Sequence, residues 1–392
     1  MSDSTINDDR LFIGMDVHVR NSYLSVSDAA GQAVKRGRVG NTLGELAAFL
    51  GPLESRPMRV VLESTTNTRA ICQMLGQYAK QSGATLSAQA LDARKLRVIA
   101  ESVSKCDKLD AAVLSELARS NLKLPACYLP DDEVFALREH LRARADLVQM
   151  RTMLKNRLHA VLHRRGVLVP VKMDLFTQAG RQWVKELTLD EAGRQILDRQ
   201  LAVIDELEPV IDQSTASLRT LARSQRWCKP EALLRTMPGV GLITAMTILA
   251  ELGDVGRFKS RAAVSNYAGL VPVVRDSNAK HFGGGITHRG PAALRGALAE
   301  AAWVSVGRVP QYAAIFGRIS ARQGKQVAII AVARRMLEDA WTMLKTDKVF
   351  RLAPAATTPR EQRISSSQQP VGAADPAPAV VVVVAVDPSD AG

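Results

Sequence analysis

Cysteine is scarce and scattered. Cys72, Cys106, Cys127 and Cys228 are the only four in 392 residues, and no two form a CxxC pair. That excludes a disulfide framework and a thiolate zinc site, and it suits a reducing cytoplasm. Long apolar runs are absent too: Val380–Val384 falls far short of the ~20 residues that a membrane-spanning helix needs. The opening Met1-Ser2-Asp3-Ser4-Thr5-Ile6-Asn7-Asp8-Asp9 is polar and acidic, so no signal peptide is expected. No internal repeat is evident. Acidic residues are in deficit, 39 against 52 lysines and arginines, for a net charge of +13 and a pI near 9.8. Such a balance favours a polyanionic partner, nucleic acid ahead of a membrane surface, although charge alone does not specify a fold. The length allows roughly two or three domains at ~150 residues each.

Four of the acidic residues stand out by position. Asp16 ends the apolar run Leu11-Phe12-Ile13-Gly14-Met15, and Glu63 ends a second, Met58-Arg59-Val60-Val61-Leu62. Asp107 and Asp110 follow as Asp-x-x-Asp. A carboxylate at the end of a hydrophobic strand is held at a sheet edge beside a cleft, and two more at i,i+3 share a helix face. The cluster repels itself unless cations neutralise it, and hard oxygen ligands suit magnesium or manganese. In a basic chain this points to metal-assisted chemistry on a nucleic-acid phosphate. Asp92 is a weaker fifth candidate and reads as a helix cap before Ala93. His159 and His163, at i,i+4, lack a third ligand and read as part of an Arg-rich helix face.

The expected fold is α/β plus all-α, in three parts and a tail. Residues 10–128 read as strands over Leu11–His18, Ser22–Ser27, Gln32–Val39, Met58–Leu62 and Thr85–Leu91. Helices are expected from a Thr42 cap through Leu50, and over Thr66–Gln81, Ala93–Val103 and Asp107–Asn121. Three meandering strands followed by alternating helix and strand is the order of a ribonuclease H-like domain. Residues 131–226 read as an antiparallel helical hairpin. Its first helix, Glu133–Arg165, contains no Gly or Pro and carries Arg151 and Lys155 in a basic stripe; its second, Asp190–Arg226, should be disturbed at Pro209. Residues 228–350 read as mainly helical, and 353–392 as a disordered tail rich in Ala, Pro, Ser, Thr and Val.

Two stretches in the third part suit a phosphate backbone. In Met237-Pro238-Gly239-Val240-Gly241-Leu242, two short helices around a glycine turn resemble a helix-hairpin-helix, where Gly239 and Gly241 would let backbone N–H groups approach a phosphate. In Tyr267-Ala268-Gly269-Leu270-Val271-Pro272-Val273-Val274-Arg275-Asp276-Ser277-Asn278-Ala279-Lys280 and the following Gly283–Gly290, a loop rich in small and basic residues is expected. Ser277 lies among Arg275, Lys280, His281, His288 and Arg289, with Arg295 in the next helix. A serine becomes a useful nucleophile only beside a base, a metal or local positive charge.

Together these residues resemble the insertion-sequence transposases of the IS110 type, bridge-RNA-guided DNA recombinases. The RuvC-like Asp-Glu-Asp-Asp quartet of that family is matched by Asp16, Glu63, Asp107 and Asp110. Its C-terminal pattern is matched by Pro238-Gly239-Val240-Gly241, Tyr267-Ala268-Gly269-Leu270-Val271-Pro272, Ser277, Gly285-Ile286-Thr287-His288-Arg289-Gly290 and Leu294-Arg295. Both halves occur in order across about residues 10–350. Asn278 departs from the pattern, since the family usually has Gly after the serine; Asn is among the residues that adopt the left-handed conformation.

The resemblance implies that Ser277 joins covalently to DNA and that the metal of the quartet sits at the same phosphate. It implies a dimer to tetramer in which the two halves of one active site come from different protomers. It also implies a noncoding guide RNA that pairs with element ends and target, in the cytoplasm and nucleoid of a bacterium. Arg275, Lys280 and Arg289 are candidates to neutralise phosphate charge, and the Arg-rich hairpin to hold RNA and DNA. Two other readings stand beside this one. A RuvC-like hydrolytic nuclease needs only the quartet. A non-catalytic nucleic-acid-binding remnant would show steep salt dependence and indifference to metal.

Overall fold

The computed structural model describes residues 9–92, 107–120, 122–277, 280–287 and 289–352, with backbone alone at 107–109, 273–277 and 280–284. The helix expected over 93–103 and the tail at 353–392 lie outside the described residues. The chain divides into two compact units between Glu133 and Val134.

The first unit is built on a five-stranded sheet, in spatial order β3-β2-β1-β4-β5. Its strands are β1 (Leu11–Val17), β2 (Asn21–Ser27), β3 (Ala33–Gly40), β4 (Met58–Glu63) and β5 (Leu86–Leu91). Short turns allow β1, β2 and β3 to pair antiparallel. The crossovers through α1 (Leu43–Leu50) and α2 (Thr68–Ser82) set β4 and β5 parallel to β1, as parallel strands require. Thr42 caps α1, its hydroxyl accepting from the Glu45 N–H at 3.3 Å. One sheet face buries Ile13, Met15, Val60 and Leu62 against Leu46 and Leu50 of α1 and Ile71 and Leu75 of α2. The other buries Phe12 and Val61 against Leu114, Leu117 and Ala118 of α3 (Asp107–Arg119). Both faces being covered explains why β1 and β4 read as near-continuous apolar runs rather than alternating ones. Burial beside Cys127 pushes the Cys72 thiol up to about 11, so it stays an inert, protonated packing group.

Helix α3 is pinned to the sheet by a buried hydroxyl. Ser115 Oγ donates to the Phe12 carbonyl at 2.9 Å and lies 2.8 Å from Ser27 Oγ. Ser115→Ala leaves both without that partner, and should cost about 1–2 kcal/mol in urea unfolding of the first unit. An unchanged midpoint would show that the pin contributes nothing.

The second unit is mainly helical. Helices α4 (Asp132–His163) and α6 (Glu191–Ala222) are long, and α5 (Gln178–Glu186), capped by Thr177, lies between them in sequence. Arg144 bonds Thr215, Arg151 bonds Glu208 and Arg165 bonds Asp190. As the first partner advances the second recedes, so α4 and α6 run antiparallel. Helix α6 continues through Pro209 without a break. The far end of this hairpin has its own core of Leu158, Leu162, Leu175, Val184, Leu197 and Leu201. Its base, at Val134, Leu137, Leu218 and Ala222, shares a core with the C-terminal helices.

Those are α7 (Cys228–Arg235), α8 (Leu242–Leu252), α9 (Arg261–Ala268), α10 (Ala292–Val306), α11 (Pro310–Gln323) and α12 (Lys325–Thr346). One expectation fails here. The stretch after Pro272 is no loop but an antiparallel hairpin, β6 (Pro272–Ser277) with β7 (Lys280–Ile286). Val273 and Val274 supplied the strand signal, and the glycines at 283–285 obscured its partner. No helix of the described residues is long and apolar enough to cross a membrane.

Candidate active site

Alternation along the first sheet sorts the acidic residues. Leu11, Ile13 and Met15 belong to one face, so Phe12, Gly14 and Asp16 belong to the other, beneath α3. On β4 the same logic puts Val61 and Glu63 on that second face. The parallel register pairs Met15 with Leu62, so Asp16 and Glu63 are the next step along neighbouring strands, about 5 Å apart in backbone. Asp107 opens α3 and Asp110 follows one turn later, half-buried. Both belong to the helix laid over this face.

The approach of that helix depends on Gly14. A Cβ there would lie 2.0 Å from the Ala111 carbonyl oxygen and 2.2 Å from the Ser115 nitrogen. Only a residue without a side chain lets the two backbones meet, and the meeting point is one residue from Asp110 and two from Asp16. The strand ends are also tied together. Asn67, just beyond β4, donates to the His18 carbonyl at 2.9 Å, and Asn41, just beyond β3, donates to it at 2.7 Å. His18 Nε2 itself stands 3.2 Å from Asp16 Oδ2. Among the described residues, no three His, Cys, Asp or Glu side chains are drawn together as a metal cage. The donor set is nonetheless one of hard carboxylate oxygens on converging elements, which suits a divalent cation of the magnesium or manganese kind.

His18, Asn41 and Asn67 escaped the sequence reading. A single Asn after a strand carries no sequence signal; Gly14 inside an apolar strand is the one available signal of close backbone approach, and it too went unread. Asp92, the weaker fifth candidate, donates its backbone N–H to the Pro125 carbonyl at 3.0 Å, and the helix it is expected to cap lies outside the described residues.

In the second unit, Ser277 is the last residue of β6, and the register pairs it with Lys280, the first residue of β7. Arg275 pairs with Phe282, and Asp276 with His281. The base of this hairpin is locked. Thr287 N–H donates to the Val271 carbonyl at 3.0 Å. Arg295 donates from Nη1 to the Ala268 and Gly290 carbonyls at 3.2 and 2.9 Å. Gly290, at φ 139°, passes so close to Tyr267 that a Cβ would sit 2.1 Å from its carbonyl oxygen. Arg289 beside it is exposed.

The remaining candidates divide by environment. Gly239, at φ 86°, packs against α10, where a Cβ would meet the Ala301 carbonyl at 2.4 Å. Gly241 is exposed, faces open space and precedes α8, which has no side-chain cap. Arg151 and Lys155 both face Glu208, at 2.8 and 4.0 Å, and Lys155 also lies over the Phe176 ring. These contacts join the hairpin helices and offset part of the basic stripe.

With this geometry in place, comparison with known proteins covers both units. A family model described as "Transposase IS116/IS110/IS902 family" matches residues 231–316, and a DEDD transposase model of the IS110 type matches residues 13–165. A Sinorhizobium fredii protein named as a transposase is 30% identical over 199 residues, 51% of this chain and 47% of that protein. An insertion element IS110 protein of Streptomyces coelicolor is 23% identical over 383 residues, 86% of this chain and 94% of its own. A pilin gene-inverting protein of Moraxella bovis is 32% identical over 131 residues, 31% of this chain and 41% of that protein. The chain thus spans about half the length of the first relative and nearly all of the second.

Proposed function

The chain belongs to the IS116/IS110/IS902 family of transposases, and from that premise we propose that it is a metal-dependent DNA recombinase that cuts and exchanges strands through a phosphoserine link. The observation that carries the reading is the acidic sheet face. Asp16 and Glu63 stand side by side on parallel strands under a helix bearing Asp107 and Asp110. Those four residues would hold magnesium or manganese, which when bound lowers the charge barrier at a scissile phosphate.

In this mechanism Ser277 Oγ attacks the phosphorus, the ester bond to the leaving sugar oxygen breaks, and that oxygen takes up a proton. A hydroxyl of the exchanging strand then attacks the phosphoserine, restoring the diester and releasing Oγ. The position of Ser277 at the tip of a locked hairpin suits this role, since a nucleophile must reach into a duplex without moving. Lys280, the register partner of Ser277, supplies positive charge for the phosphate together with Arg275 and Arg289. Gly241 presents the N-terminus of α8 to the backbone in the manner of a helix-hairpin-helix, and Gly239 shapes that turn. Arg295 acts indirectly, by holding the loop that carries Arg289. Residues 131–226 serve as a coiled-coil linker that brings protomers together as a dimer or tetramer, and Arg151 and Lys155 extend its basic surface toward DNA and a guide RNA. In such an assembly, the acidic face of one protomer and the serine hairpin of another serve one phosphate.

Exchange is favoured over hydrolysis by one relative. Gene inversion, as the Moraxella bovis protein is named for, demands that cut strands be rejoined. A covalent intermediate conserves the bond energy for rejoining, whereas hydrolysis loses it.

The test is to trap the intermediate. The full chain incubated with its element-end DNA and magnesium should yield a protein–DNA adduct on a denaturing gel, absent with chelator and absent in Ser277→Ala. An adduct that survives Ser277→Ala would end the serine role. Free cut ends with no adduct would establish the hydrolytic nuclease instead.

A further inference from the structure

We propose that the sheet face bearing Asp16 continues outward as a docking track for the DNA strand being cut, made by Tyr23, Arg36, Arg38 and Arg20. This rests on the reading of that face as the cleavage site. The sheet register lays the track out. Asp16 pairs with Tyr23, and Tyr23 pairs with Arg38; Gly14 pairs with Ser25, and Ser25 with Arg36. Register partners share a face, so Arg36 and Arg38, both on β3, stand on the acidic face two strands out from β1, with Tyr23 on the strand between. Lys35 and Val39, on the alternate positions, turn to the opposite side. Val39 joins the core there, and Lys35 Nζ donates to the Phe49 carbonyl at 2.7 Å.

Strand β3 is the edge of the sheet, and Arg36 and Arg38 are both exposed on it. Tyr23 is half-buried between Asp16 and Arg38. Arg20 is exposed on the turn between β1 and β2, where its carbonyl accepts from the Asn41 N–H at 3.0 Å. Asn41 also holds His18, so the turn is a rigid platform.

The electrostatics require such a track. Carboxylates at Asp16 and Glu63 repel an approaching phosphodiester, and cations about 10 Å away, two strand spacings, can offset that at the neighbouring phosphates. That distance is about three rises of one strand of B-form DNA. The DNA strand is favoured over RNA because the track begins at the carboxylates that face the bond to be cut.

The experiment is equilibrium binding of a short random-sequence DNA duplex to the full chain over a series of salt concentrations, in chelator. Arg36→Gln with Arg38→Gln should flatten the log K against log salt slope by roughly 1.5–2, since each phosphate contact contributes about 0.9. Lys80→Gln with Lys123→Gln, an exposed pair of equal charge elsewhere in the unit, should leave it within about 0.3. Arg36→Lys with Arg38→Lys should restore the slope. A wild-type slope in the Gln pair overturns the track, as does an equal flattening by the control pair. An effect as large with an RNA hairpin overturns the assignment to DNA. Should the Gln pair fail to fold, Arg20→Gln, on a turn outside the sheet, must flatten the slope by about 0.9 or the track is overturned. Failure of wild-type protein to form a metal-dependent adduct would remove the underlying cleavage reading and leave these slopes interpretable.

Discussion

Asp16→Asn is expected to lower strand cleavage by a factor on the order of 10³ or more while leaving the protein folded. Asn has the shape of Asp and can still face His18, whose ring stands 3.2 Å from the carboxylate. What it lacks is the negative charge that a hard cation demands. Binding to DNA in chelator should therefore be unchanged or tighter, because a repulsive charge beside the phosphate has gone. The pair of readouts separates a lost metal ligand from a lost fold: cleavage collapses and binding does not. Combining Asp16→Asn with Glu63→Gln should cost little beyond either alone, since groups that act as one unit are not additive. Near-wild-type cleavage by Asp16→Asn would remove the acidic face from the mechanism, and a parallel loss of binding would recast Asp16 as structural.

Gly14→Ala should be the most damaging single methyl group in the first unit. The added carbon would sit 2.0 Å from one backbone atom of α3 and 2.2 Å from another. Neither is a side chain that can rotate away, so the whole helix must shift or the strand must bend. A cost of about 3 kcal/mol or more follows, or a fall in the unfolding temperature of that unit on the order of 10 °C. Calorimetry of the full chain would read it. Any variant that still folds should cleave poorly, because the displaced helix carries Asp107 and Asp110. Ala111→Gly should give no rescue, as the contact is with the Ala111 carbonyl and not its methyl. A melting temperature within about 2 °C of wild type would mean that α3 does not lie on β1 as described.

Much of this was legible in the chain. The apolar runs at Leu11 and Met58 announced strands ending in a carboxylate, because hydrophobic patterning and charge are local properties. Thr42 was recognisable as a cap, and the Gly- and Pro-free stretch from Glu133 as one long helix. The hairpin around Ser277 was not legible. Three successive glycines weaken any local strand preference, and pairing with Pro272–Ser277 supplies the missing order. The second helix, expected over Asp190–Arg226, runs through Pro209 as Glu191–Ala222. A proline lowers local helix preference, but the packing of α6 along α4 through Arg144–Thr215 and Arg151–Glu208 outweighs it.

Residue types and their order carried the family resemblance, with four carboxylates among the residues that match. Their placement in space was decided elsewhere. It took the β1–β4 register to set Asp16 beside Glu63, the missing side chain of Gly14 to let α3 descend, and Asn67 to bind one strand end to the other. Arg36 and Arg38 make the same point. In the chain they are two more arginines among many, and only strand pairing puts them on the same sheet face as Asp16. Charge and hydrophobicity belong to each residue, whereas proximity belongs to the pairing of distant segments, which no local pattern encodes.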